Sequence, residues 1–90
     1  MNMEQAGTIA ARAIEFVAND EDLLMRFMSI SGLSIDELRE NIGEPALHLG
    51  ALGFLLDHEP DAVAFCQFAG LAPGVADNAR AFLAGEIPFS

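Results

Sequence analysis

Lysine, tryptophan and tyrosine are absent from this 90-residue chain, and cysteine occurs once. Four arginines face fourteen acidic residues, so the formal net charge is −10. That balance repels a phosphate backbone and excludes nucleic acid as a partner. It also excludes the basic amphipathic helix that lies on anionic lipid. The lone thiol, Cys66, cannot form an intramolecular disulfide, so nothing in the chain requires an oxidising compartment. The opening residues Met1-Asn2-Met3-Glu4-Gln5 lack the basic and apolar regions of a signal peptide. The longest uncharged stretches, residues 45–56 and 62–76, fall short of the ~20 apolar residues a membrane span needs. A cytoplasmic protein with no membrane partner is the expectation.

What is present is apolar. Residues of hydrophobic type make up 52% of the chain, too many for disorder to be the reading despite the charge. Ala and Leu number 26 while Val, Ile and Thr total ten, a balance that favours helix over strand. A mass of 9.6 kDa allows one domain, residues 1–90, with a folded surface of roughly 5,000 Å² against ~14,000 Å² unfolded.

Sliding the sequence on itself gives one useful register, at an offset of 38 residues. Ala13, Phe16, Glu21, Phe27, Gly32 and Leu33 fall on Ala51, Phe54, Glu59, Phe65, Gly70 and Leu71. The helix breakers coincide as well, which reads as a three-helix unit used twice, over about residues 8–44 and 45–84. In the first unit, helices are expected over about residues 8–18, 21–31 and from Ser34 to near Gly43. Asn19-Asp20-Glu21-Asp22 caps the second helix, Gly32 ends it, and Ser34-Ile35-Asp36-Glu37 has the form of a capping box. In the second unit, Pro45, Pro60 and Pro73 each suit the first position of a helix, and Gly70 ends the fifth. Gly85 and Pro88 close the sixth and leave residues 86–90 as a tail. The fold class is all-α, a compact bundle of six short helices.

Residues 46–56 are apolar all round, the mark of a buried helix, yet carry Gly50 and Gly53 where the first unit has Arg12 and Glu15. Each Gly weakens a helix interior by up to ~1 kcal/mol relative to Ala. Close approach of another helix, from this chain or from a second subunit, would offset that. Met25 and Met28 crowd a short helix that has more apolar residues than one core-facing stripe needs, and Met suits adaptable contact surfaces. Met25, Met28, Gly50 and Gly53 are therefore the candidate interface, for a protein partner or for self-association as a homodimer.

Chemistry is thinly represented. His58, in Asp57-His58-Glu59-Pro60-Asp61, has the composition of a metal ligand set, but the spacing matches no established motif and suits a capping turn equally well. Cys66 falls on Met28 in the repeat and reads as a small core residue rather than a nucleophile. There is no phosphate-binding glycine loop, no paired CxxC and no serine nucleophile setting. The segment from Phe27 to Arg39 has the outline of a helix-turn-helix, but its second helix presents Asp36, Glu37 and Glu40. No catalytic residue, no cofactor and no metal are assigned.

The pattern Phe16-x4-Glu21, Phe27-x4-Gly32-Leu33-Ser34, Glu37-Leu38-Arg39, then Phe54-Leu55-Leu56-Asp57, Phe65 and Gly70-Leu71 resembles a group of short bacterial proteins known as a domain of unknown function. The resemblance covers roughly residues 8–84. It implies a small all-helical cytoplasmic protein and supplies no activity and no site. The expected function is a non-enzymatic module working through protein contacts, its acidic surface suited to basic patches on a partner. One alternative is a domain holding a small apolar ligand between helices lined by Phe54, Phe65 and Phe68. Another is a metal-dependent enzyme using His58, Cys66 and nearby acids.

Overall fold

The structure, a computed structural model, describes residues 1–86. Its first helix, α1 (Met3–Ala18), starts five residues before the expected point. The cause is a capping box: the Gln5 N–H donates to the Asn2 side chain at 2.8 Å, and the Asn2 N–H donates back to Gln5 Oε1 at 3.1 Å. Helix α2 (Glu21–Ser31) has the expected bounds, with the Leu23 N–H donating to Asp20 and Gly32 closing the helix at φ 77°. The Ser34–Glu37 capping box opens α3 (Ile35–Glu40). That helix stops short of Gly43, and the Asn41 side-chain amide donates to the Glu37 carbonyl at 2.8 Å at its end.

Pro45 is the first residue of α4 (Pro45–Leu56), as expected. In α5 (Glu59–Ala69) the expectation is off by one, because His58 is the cap and Pro60 the second residue. Pro73 is not in a helix at all. A turn with Gly74 at φ 88° follows it, and α6 (Val75–Glu86) begins two residues later than expected. Helix α6 also runs one residue past Gly85, and Pro88 lies outside the described residues. Helices α2 and α5 have equal length, lie 38 residues apart and both end in a left-handed glycine. The register lapses at the third helix, six residues in α3 against twelve in α6.

All described secondary structure is helical, and the six helices share one core. Its centre is a trio, with α1 packed on α4 and α6, and α4 on α6. Helix α1 buries Ala6, Ala10 and Ala13 in one row beside Ile9, Ile14 and Val17. The row faces Ala51, Leu52 and Leu55 of α4 and Ala76, Ala79 and Leu83 of α6, so small side chains let the three backbones draw close. Around the trio, α2 contributes Leu23 and Phe27, α3 only Leu38, and α5 Phe65. Phe65 is fully buried, its ring 5.8 Å from that of Phe16, and Phe27 meets Phe54 edge-on at 5.4 Å. The surface of 5,409 Å² is close to the expectation from mass.

One expectation fails here. Helix α4 is apolar all round but not buried all round: Ala46 and Gly50 are exposed, and Leu47, Gly53 and Phe54 are half-buried. The molecule measures 32 × 30 × 18 Å, and 18 Å accommodates about two helix layers at ~10 Å each. A helix in a two-layer body keeps an outward face whatever its sequence. Truncating Phe27 or Phe65 to Ala is expected to cost about 3–5 kcal/mol each, read by urea denaturation. A loss below 1 kcal/mol at either position would contradict this core.

Candidate functional site

The outward face of α4 borders α2, and the two helices run antiparallel. Arg26 and Phe27, in the middle of α2, meet Phe54 near the end of α4. Leu33, just past the end of α2, lies beside Ala46 and Leu47 at the start of α4. Between them runs an open groove of about 560 Å³, walled by Phe27, Ile30, Leu33, Leu47 and Phe54 and floored by Gly50 and Gly53. Ile30 stands at its lip, 75% exposed.

The glycines do not serve the packing expected of them within this chain. A β-carbon at Gly50 would meet nothing within 4 Å, and one at Gly53 would meet only the tip of Arg80, at 3.9 Å. With Ala46 they form a stripe at helical spacing, and a shallower hollow beside Arg80 and Ala84 of α6 flanks its other side. Without side chains there, α4 offers bare backbone to whatever approaches.

The candidate interface is divided by the structure. Gly50 and Gly53 lie in the groove. Met25 is 60% exposed and two residues from both Leu23 and Phe27, which at ~100° per residue places it on the far side of α2. Met28 is half-buried. The groove walls Ile30, Leu33 and Leu47 escaped the sequence reading. The signal was present in the excess of apolar residues on α2, which also includes Ile30.

Three of the four arginines tie helices together. Arg26 of α2 donates to Asp61 of α5 at 2.7 Å, and its guanidinium lies 5.5 Å from the centre of the Phe54 ring. Arg80 of α6 donates to Asp57 at 2.8 Å and to the Gly53 carbonyl at 3.5 Å. Arg12 of α1 sits 4.9 Å over Phe68 of α5 and lies 3.5 Å from Glu15. The acids have a local use too. Ten of the fourteen cap a helix or occupy its first turn, where they complement the positive end of the helix dipole.

The residues singled out for chemistry do not converge. His48 Nε2 lies 2.6 Å from the Ile42 carbonyl, an acceptor only, so that nitrogen carries the proton and pins the turn before α4. His58 Nδ1 lies 3.0 Å from Asp61. Among the described residues no three His, Cys, Asp or Glu side chains gather as metal ligands would. Phe54, Phe65 and Phe68 do not line one cavity: Phe65 is buried in the core, Phe68 packs tilted against Phe16 at 4.9 Å, and Phe54 faces the groove. Cys66 is half-buried against the core, and burial, then the nearby Asp77 carboxylate, push its thiol pKa up. Both influences favour the neutral thiol over the thiolate. No helix among the described residues is long and apolar enough to cross a membrane.

Together these features define a small all-α protein whose distinctive surface is an open, glycine-floored apolar groove. The chain belongs to the family Protein of unknown function (DUF3572), which matches residues 3–86 and bears out the resemblance to a domain of unknown function. No curated protein and no solved structure matches the chain.

Because Gly50 has open space above it and helical backbone, Gly50→Ala is expected to raise stability by about 0.5–1 kcal/mol in chemical denaturation. A loss of stability would show that the helix needs a glycine for packing after all. The raised pKa of Cys66 favours the neutral thiol in the folded state. Its contribution to stability is thus complete below the pKa of the unfolded thiol and is lost as pH rises through the folded value. Alkylation of Cys66 in the native protein should be slower than in the urea-unfolded chain at pH 8, and Asp77→Asn should narrow the difference.

Proposed function

We propose that this protein is a non-enzymatic contact module whose working surface is the groove between α2 and α4. The observation that carries the reading is the pair of glycines in the middle of α4: Gly50 is exposed with nothing in the chain above it, and half-buried Gly53 is approached only by the tip of Arg80. Each weakens its own helix, and neither relieves a contact within the fold. A bare stretch of helix between apolar walls is suited to receive another polypeptide segment. The groove is open along its length, which favours a polypeptide over an enclosed small molecule. Its volume of about 560 Å³ does fall within the range of ligand sites, so a small apolar ligand is the second reading. No activity is assigned, since Arg26, Asp57 and His58 of the groove are paired with Arg80 or Asp61.

The test is cross-linking in cells with a photoreactive residue at position 47, comparing the native chain with Gly50→Leu. The leucine would project into the groove from a β-carbon that meets nothing, so melting no lower than that of the native chain, with loss of the cross-linked polypeptide, is expected. Cross-links of equal yield in both, or none in either, would reject the reading. A small molecule seen by native mass spectrometry and lost in Gly50→Leu would select the ligand alternative.

A further inference from the structure

Which polypeptide the groove receives can be argued from its charges and its lip, taking the contact-module reading as given. The chain carries −10 overall, but the charged side chains lining the groove and its two flanking hollows are Arg26 and Arg80 against Asp57 and Glu44. This face is locally neutral on an otherwise acidic molecule. A basic partner would gain more from almost any other face. Another acidic protein, including this one, could meet this face without like-charge repulsion.

The arrangement along the groove is more specific. At the end near the start of α4 stands Glu44, a helix cap whose side chain makes no capping bond. At the other end stands Arg26, which has five N–H groups and one hydrogen bond, to Asp61. Asp57, at that same end, is already neutralised by Arg80. A groove with an acid in the hollow just beyond one end, and at the other a base that pairs with Asp61 yet keeps spare donors, is complementary to itself turned end for end. It also carries both halves of a packing contact on one face: the hollow over Gly50, and beside it the protruding Ile30. A two-fold interface requires just that, since each copy must supply what it receives.

We infer that the occupant of the groove is a second copy of this chain, bound with the two α4 helices antiparallel and crossing near Gly50. A two-fold axis across α4 keeps α2 of each copy on the side of the other's α2. Ile30 of one copy then enters the partner's groove toward Phe54, and Glu44 of one copy meets Arg26 of the partner. The bare backbone at Gly50 and Gly53 lets the helices approach.

Light scattering after size exclusion, with concentration read by refractive index because the chain lacks Trp and Tyr, should give twice 9.6 kDa at tens of micromolar. Gly50→Leu should raise the dissociation constant at least tenfold and leave melting of the monomer intact. Glu44→Arg and Arg26→Glu should each dissociate as homodimers, and an equimolar mixture of the two should recover the dimer, because both ion pairs re-form in the heterodimer. Recovery is the decisive sign, as a merely structural role for either residue would not produce it. If Arg26→Glu fails to fold beside Asp61, Arg26→Gln with Gly50→Leu serves, both expected to be monomers. A native chain that is monomeric at 100 µM overturns the inference. If Gly50→Leu then still abolishes a cross-link to a different protein, the contact-module reading survives without it. A dimer indifferent to Gly50→Leu, with no recovery on mixing, places the association elsewhere and overturns it too.

Discussion

The contact on which everything else rests is the alanine-lined approach of α1 to α4. Ala6, Ala10 and Ala13 recur at helical spacing on α1, and Ala51 faces them from α4 without exposure. Alanine contributes little apolar area by itself, but it lets helix axes close up until the larger side chains beside it interdigitate. Leu52, Leu55 and Val17 are fully buried as a result. Helix α6 completes the trio with Ala76 and Ala79, and α2, α3 and α5 are fastened to it by one or two large side chains each. In so small a body such fastening leaves little redundancy, which is why single phenylalanines weigh heavily.

Charge plays a quieter part than the composition suggests. A net charge of −10 invites a search for a basic partner, yet most of the acids sit at helix heads, where the backbone presents unpaired N–H groups. They answer a requirement that six short helices impose on the chain itself. The few cations are distributed with similar economy, three of them bridging helices through a carboxylate or an aromatic ring. Such pairs are partly exposed, and each adds modestly to stability while fixing which helix lies against which.

Much of the fold was legible in the sequence because its punctuation is local. Gly32 and Gly70 end helices through their own backbone conformation, and Asp20 and Ser34 begin them through bonds three residues long. Legibility failed where a signal was weak or non-local. Asn2 and Gln5 cap α1 without the familiar Ser and Glu, and Pro73 yields to a turn set by Gly74. The candidate surface was half legible. Gly50 and Gly53 stood out as anomalies in an apolar helix, but the inference that α4 is covered on all sides ignored the thickness of the molecule. Ile30 could not be told from a core residue by spacing, because whether the last turn of a short helix reaches the core depends on how far its neighbour extends.

The stripe on α4 has a consequence for how it can be recognised. A surface made of peptide backbone has contour but almost no chemical identity, since glycine leaves no functional group to be read. Anything that docks there is selected by curvature at the centre, and discrimination between similar shapes falls to the margins, where Arg26, Ile30 and Glu44 stand. Under the proposed contact, sequence drift at the margins would change who binds, whereas drift at the two glycines would decide whether anything binds at all.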